Sequence, residues 1–273
     1  MRIALIGDVV GKPGRRALAQ LVPDLRRRLA FDILVANAEN CAGGKGITPD
    51  TVNELFAAGV DVVTTGDHVF DQKSAVEALG TPRVLRPLNY PPDTPGRGWT
   101  VVHSPLGVPV AVVNLLGRVF MKPADCPFRA IEQALPELRA AARVIVVDMH
   151  AEATSEKMAM GWFLDGRVSA VCGTHTHVLT ADAQVLPGGT AYITDVGMTG
   201  AHRSILGREI HAVLAHFVTG MPQRFELAEE DVRLSGALIA VQEETGTASA
   251  ISIFQEHLPG HLKENKHTSE NQF

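Results

Sequence analysis

The sequence predicts an α/β fold with two sheets packed face to face between helices, the strands parallel early in the chain and antiparallel at its end. Three observations carry this. Short apolar runs alternate with helical patterns through the first half, as they do where crossover helices join parallel strands. The late segments GALIAVQEE and ASAISIFQEH alternate apolar and polar residues, the mark of antiparallel strands with one face on a core. The chain has 273 residues, 45% of them hydrophobic, which is enough for one large core.

The elements follow in order. RIALIG reads as a buried strand, and GRRALAQLVPDLRRRLA as a helix that Pro23 kinks or breaks. DILVANAEN is a second strand. TPDTVNELFAAG is a helix with Thr48 as N-cap, Pro49 at its first position and Gly59 just past its end. VDVVTTG is a third strand. The Pro- and Gly-rich stretch TPRVLRPLNYPPDTPGRGWTVV reads as loop plus a short strand. VPVAVVNLL is a strand, FRAIEQALPELRAAA a helix and RVIVVDMH a strand, and a helix lies within ATSEKMAMGWFLDG. VSAVCGTHTH and TAYITDVG complete the set before the antiparallel pair. Residues 1–260 are read as one domain, and 261–273, which include His267, as a polar, flexible tail.

Composition excludes several functions. A net charge of −5 gives no bulk footprint for long nucleic acid. Cys41, Cys126 and Cys172 lie far apart, with no CxxC, so neither a disulfide framework nor a structural zinc site is expected. The apolar start of the chain reaches Gly7 and Asp8 too soon for a leader or a span, and no segment approaches the roughly 20 apolar residues a span needs. The expectation is a cytoplasmic protein, with homo-oligomerisation left open.

Polar residues able to bind metal recur where strands run out. Asp8 follows RIALIG, Glu39 and Asn40 follow DILVANA, Asp67 and His68 follow VDVVTTG, His150 closes RVIVVDM, and His175 and His177 follow VSAVCG. In an open α/β sheet, ligands bind beyond the carboxyl ends of the strands. Carboxylates and imidazoles without thiolate suit Fe, Mn, Zn, Co or Ni. His175 and His177 are two residues apart, so extended backbone would turn both to one side. Six or seven donors exceed what one catalytic metal takes from protein, and a two-metal centre with a bridging carboxylate uses them all.

The set GDVVG, NAEN, TTGDHVFD, VDMHAEATSEK and GTHTHV resembles the YmdB-like family of calcineurin-like metallophosphoesterases, over most of the chain. The resemblance implies a four-layer α-β-β-α sandwich, a dinuclear metal centre and phosphodiesterase activity, with 2′,3′-cyclic nucleotides among the substrates. It assigns Asp8 and His177 to one metal, Glu39 as the bridge, and Asp67, His150 and His175 to the other. Asn40 is a ligand or an immediate neighbour of one, and His68 a general acid, or a positive charge, at the leaving oxygen. Two departures stand out. The superfamily's early DxH is reduced to Asp8-Val9-Val10, a gap that the YmdB-like group shares. Its usual GNH is here GDH, so Asp67 adds a third carboxylate. That charge favours tight binding of the second ion and a mixed-valence or trivalent iron.

The chemistry is consistent with those parts. A bound metal lowers the pKa of water from 15.7 to about 7, which permits hydroxide attack on phosphorus. Histidine, with an ordinary pKa near 6.5, suits proton donation to the leaving alkoxide. Two other readings compete. An amidohydrolase-type centre lacks its early HxH here, and a nucleotide-binding regulator could keep the metal site with little turnover.

Overall fold

The computed structural model describes residues 1–259. Residue 260 and the expected tail, 261–273, lie outside the described residues.

In chain order the elements are β1 (Arg2–Ile6), β2 (Asp8–Val9), α1 (Gly11–Leu29), β3 (Ile33–Asn37), α2 (Pro49–Ala57), β4 (Val62–Thr64) and α3 (Ala75–Ala78). Then come β5 (Trp99–His103), β6 (Pro109–Leu116), α4 (Pro127–Ala141), β7 (Val144–His150), α5 (Thr154–Leu164), β8 (Ala170–Thr174) and β9 (Gln184–Val185). The last are β10 (Ala191–Ile193), β11 (Met198–Ala201), α6 (Ile210–Thr219), β12 (Val232–Val241) and β13 (Ala248–His257).

Both sheets are mixed. The first runs β2-β11-β12-β1-β3-β4, with β13 also on β12. Its β1, β3 and β4 are parallel, and β12 and β13 form the antiparallel pair expected of the alternating tail strands. The second runs β5-β6-β7-β8-β10-β9, parallel except at its two edges.

Side chains alternate across a strand with period two, and that alternation builds the layers. Ile3, Leu5, Ile33 and Val35 of the first sheet share one core with Val110, Val112, Val144 and Val146 of the second. The opposite face of the first sheet, Ala4, Ile6, Leu34 and Ala36, packs on Leu18, Val22 and Leu25 of α1 and on Val52 and Leu55 of α2. The opposite face of the second, Val113, Val147 and Val171, packs on Ile131 and Leu135 of α4 and on Met160 and Leu164 of α5. The result is the four-layer α-β-β-α sandwich. Its inner strands are buried on both faces, which is why they read as unbroken apolar runs.

α2 begins as expected. The Thr51 amide donates to Thr48 Oγ1 at 3.2 Å, the Thr48 amide donates to Thr51 Oγ1 at 2.9 Å, and Pro49 occupies the first turn. At Pro23 the helix neither ends nor restarts: α1 runs through it, with Pro23 on the solvent side between buried Val22 and Leu25. Proline inside a helix costs about 3 kcal/mol, and the apolar face of α1 on the sheet offsets it. The extended geometry expected at the histidine pair is corrected. β8 stops at Thr174, and His175 and His177 have φ of 98° and 64°, so the two rings sit on a left-handed turn rather than on a strand. Among the described residues no helix is long and apolar enough to cross a membrane.

Candidate metal centre

All the strand ends that the sequence singled out converge at one place. β1 leads through Gly7 to Asp8, β3 to Glu39 and Asn40, and β4 to Asp67 and His68, all from the first sheet. β7 and β8 deliver His150, His175 and His177 from the second. Residues from both ends of this order are thus brought to the shared end of two sheets, where side chains leave the core.

Four donors form a tight group: Glu39, Asp67, His150 and His175 offer atoms that all lie within 4.8 Å of one another. Glu39 Oε1 is 3.1 Å from His150 Nε2, Asp67 Oδ1 is 3.7 Å from it, and His175 Nδ1 is 3.0 Å from it. Asp8 Oδ1 lies 3.7 Å from His177 Nε2 in a second group. The amide nitrogen of Asn40 is 3.4 Å from Asp8 Oδ1, 3.3 Å from His177 Nε2 and 3.3 Å from Glu39 Oε1. Glu39 therefore belongs to the first group and reaches the second through Asn40. As a ligand, Asn40 would turn its amide oxygen inward in place of the nitrogen.

Three carboxylates meet here, and Asp8 and Glu39 are fully buried. Burial alone would push the Asp8 carboxyl up, but the bond from His177, the charges of His177 and His150 and the His175 amide hold it well below the usual range. Asp67 behaves likewise: burial opposes ionisation, while His150, His68 and Lys122 hold it low. Burial should make His150 harder to protonate, yet Glu39, Asp67 and Asp8 raise it well above 6.5. His175 is lowered by burial and by its charged neighbour His150.

Such a cluster attracts positive charge, and one atom tests whether a cation fits it. Asp67 Oδ1 is buried and has no hydrogen-bond partner. An unsatisfied buried carboxylate oxygen is costly, and here it faces His150 Nε2 and His175 Nδ1 across gaps too long for hydrogen bonds. A cation among these atoms would satisfy it.

Neighbouring groups orient the imidazoles. The Thr174 hydroxyl donates to Asp148 Oδ1 at 2.7 Å and lies 2.8 Å from His150 Nδ1, so it accepts from Nδ1–H and turns Nε2 towards the cluster. Asp148 is fully buried and also accepts from Thr64 Oγ1 and from Asn37 Nδ2 at 3.0 Å. Burial pushes its carboxyl up to about 6, against these bonds and the charge of His150. Asp71 Oδ2 lies 2.9 Å from His68 Nδ1. His68 Nε2 then points at the cluster, 3.9 Å from Asp67 Oδ2.

Sequence reasoning missed Lys122 and Asp195. Lys122 lies 3.4 Å from Asp67 Oδ2 and donates to the Asp67 carbonyl at 2.6 Å, offsetting the extra carboxylate of GDH. Glu152 Oε2 is 3.3 Å from His175 Nε2. Asp195 accepts from Thr176, between the two histidines of the turn, and pairs with buried Lys157 at 2.7 Å. Asp195 follows the apolar run AYIT, the same strand-end signature that found the other residues. Cys41 and Cys172 flank the ligands, and burial pushes both thiols up, Cys41 to about 11, so neither is a nucleophile.

Residues 4–254 match the family described as YmdB-like protein. A Bacillus subtilis (strain 168) protein named 2′,3′-cyclic-nucleotide 2′-phosphodiesterase is 45% identical over 252 residues, covering 92% of this chain and 95% of its own. The crystal structure of a hypothetical protein from Thermus thermophilus is 46% identical, with a TM-score of 0.89 over 95% of this chain and all of that one. At 11% identity, the calcineurin-like phosphoesterase YfkN from Bacillus subtilis shares the fold, with a TM-score of 0.56 over 95% of this chain and 91% of that one. On the family match and the identity to these relatives, the chain belongs to the YmdB-like protein family.

Proposed function

We propose that the chain is a metal-dependent phosphodiesterase acting on small phosphodiesters, with 2′,3′-cyclic nucleotides as its substrate class. The observation that carries this is Glu39 at the junction of the two sheets, in contact with His150 of one donor group and with Asn40, which links it to Asp8 and His177 of the other. The name of the Bacillus subtilis relative supports the substrate class. In this reading Asp8, Asn40 and His177 would hold one ion, and Asp67, His150 and His175 the other, with Glu39 available to both. Iron is assigned first because three carboxylates favour a high total charge; manganese, zinc, cobalt and nickel are the alternatives. Three free cysteines fit a reducing, cytoplasmic setting.

When bound, such ions lower the pKa of water towards 7 and neutralise phosphate oxygens. The protein does the rest. Thr174 and Asp148 fix the direction of His150, and Glu152 that of His175. Asp71 holds the Nδ1 proton of His68 and leaves Nε2 to give a proton to the departing ribose oxygen. Opening the cyclic ester yields a monoester.

The test is elemental analysis of protein purified without chelator, together with hydrolysis of 2′,3′-cyclic AMP and bis-p-nitrophenyl phosphate. Near two metals per chain, with turnover lost in Asp8→Ala, is expected. Two metals without turnover on any diester would favour a nucleotide sensor, and no metal under any reconstitution would sink the reading.

The position of His68 separates proton donation from ligation. His68→Ala should lower kcat by about 10²–10⁴-fold, the usual contribution of a positioned acid, with metal content unchanged. Equal loss of metal and rate would make His68 a ligand. Metal uptake should also release protons. His150, raised well above 6.5, keeps its proton at pH 7 in chelator-treated protein, and a cation must displace it. Apparent affinity should therefore climb about tenfold per pH unit for each proton released, and level off once the pH passes the raised pKa. Calorimetry in buffers of different ionisation enthalpy reads the proton count, and a pH-independent affinity between about 6 and 8 would contradict the assignment of His150.

A further inference from the structure

Beside the metal centre lies a cleft of about 610 Å³ whose lining includes Arg86, Arg97, Arg118 and Arg129. Asp125 is the one acidic residue in that lining. Four guanidinium groups against one carboxylate make a strongly basic patch on a chain whose net charge is −5. No carboxylate pairs with any of the four among the described residues. Arg86 is the most telling. It is 7% exposed, and its guanidinium donates only to the carbonyls of Pro87 at 2.8 Å, Leu88 at 3.2 Å and Thr94 at 3.4 Å. Its Nε has no partner. A buried cation without a counter-ion is expensive, and its charge is uncompensated unless an anion enters the cleft.

The cleft adjoins the metal centre. Tyr90 lines it and places its hydroxyl 3.5 Å from the carbonyl of Gly66, the residue before Asp67. Phe70, two residues past His68, packs against Tyr90 with ring centroids 6.2 Å apart. Arg118 follows Gly117, whose amide donates to the His150 carbonyl at 2.9 Å. Trp99 and Tyr90 add aromatic surface to the arginines. Guanidinium forks bind phosphate oxygens in pairs, and aromatic rings beside them stack bases. A nucleotide's scissile phosphate and its next phosphate are both anionic, with a base between.

We propose that this cleft holds a second phosphate and its base, so that the metal centre acts on the 3′ end of a short oligonucleotide bearing a 2′,3′-cyclic phosphate, in preference to a free mononucleotide. The substrate assignment rests on the phosphodiesterase reading; the binding site does not.

The experiment has two arms. In the first, kcat/KM is measured for 2′,3′-cyclic AMP and for diadenylate ending in a 2′,3′-cyclic phosphate. The wild-type ratio should favour the dinucleotide by about tenfold or more, within the 1–3 kcal/mol that one stacked base contributes. Arg97→Gln/Arg129→Gln, both at exposed positions, should bring the ratio close to one. In the second arm, chelator-treated protein is titrated with 5′-phosphorylated diadenylate, which needs no metal to occupy the cleft. The double variant should bind it about tenfold more weakly, and wild-type affinity should fall with salt at a log–log slope near −0.7 for each phosphate neutralised. A wild-type ratio near one, or binding insensitive to the double substitution, overturns the proposal. If no diester is hydrolysed but binding still depends on the arginines, the phosphodiesterase reading falls and the cleft stands as a nucleotide site.

Discussion

Replacing Lys157 with methionine is expected to destabilise the protein by about 3–5 kcal/mol, the usual cost of leaving one partner of a buried ion pair uncompensated, and to strip the metal centre. Lys157 Nζ lies 2.7 Å from Asp195 Oδ2, and both side chains are fully inaccessible to solvent. Asp195 does more than neutralise the lysine. Its Oδ2 accepts from the Thr176 amide at 3.0 Å and the Thr176 hydroxyl at 2.7 Å, and its Oδ1 accepts from the Gly197 amide at 2.8 Å. Thr176 separates His175 and His177, whose φ values of 98° and 64° put two non-glycine residues in left-handed conformations. Each such residue costs about 1–3 kcal/mol unless its surroundings hold it there. The buried pair is that restraint: α5 carries the lysine, β10 leads to the aspartate, and the turn carries the two imidazoles. Urea unfolding in the presence of chelator reads the stability, and elemental analysis reads the metal. Lys157→Met/Asp195→Asn removes both charges, so it should recover stability without recovering the full set of bonds to the turn, and its metal content should stay low. A cost below about 1 kcal/mol for Lys157→Met, as for an exposed pair, would show that the turn is held by something else.

The layers were legible in the sequence because each inner strand is apolar on both faces, so its run ends abruptly where side chains pass from the apolar core to the buried polar cluster. That abruptness marked Asp8, Glu39, Asp67, His150 and His175 in one pass. What stayed hidden has physical reasons. β2 and β11 are two and four residues long, β2 pairing with β11 and β11 also with β12, too short for any period to show. α6 buries only Val213 while Leu214, Phe217 and Val218 face solvent, so its apolar residues trace no stripe against the core. The histidine turn follows directly on a strand, and it is the φ values of His175 and His177, with the Thr176 bonds that Asp195 accepts, that reveal the backbone has left the extended region. The arginine cleft draws its charges from positions 86, 97, 118 and 129, each bland in its own stretch. The Pro- and Gly-rich middle of the chain holds two of them, and it shows no periodicity because its shape is set by the carbonyls that Arg86 gathers rather than by burial on one face. Lys122 illustrates the same limit. It balances Asp67 from a loop 55 residues away, and no local pattern connects the two.

Gly66→Ala should cut metal binding to below half of wild type in a protein that still folds. Gly66 sits where β4 hands over to Asp67, and a Cβ built there would overlap the imidazole edge of His150 and Oε2 of Glu39. Both partners are buried and tied down, His150 by Thr174 and Glu39 by the His68 amide at 3.1 Å, so neither can swing aside. The backbone or the two donors must shift instead. Overpacking of this kind costs about 1–3 kcal/mol, which a core of this size can absorb. A displacement near 1 Å in a reacting constellation costs about 10²-fold in rate, and here it falls on the carboxylate that belongs to one donor group and reaches the other through Asn40. Metal content is expected to drop below half of wild type, and kcat/KM on 2′,3′-cyclic AMP by at least that factor. Gly43→Ala is the matched control. Gly43 has φ of 64° and nothing within 4 Å of its added Cβ, so alanine there carries only the left-handed cost of about 1–2 kcal/mol and should keep its metal. The two variants lose comparable stability, and only one intrudes on the donors. Full metal content and turnover within about tenfold of wild type in Gly66→Ala, well short of the loss a 1 Å displacement brings, would mean that the ions sit elsewhere; metal loss in both variants would mean that the centre responds to general destabilisation rather than to the spacing of Glu39 and His150.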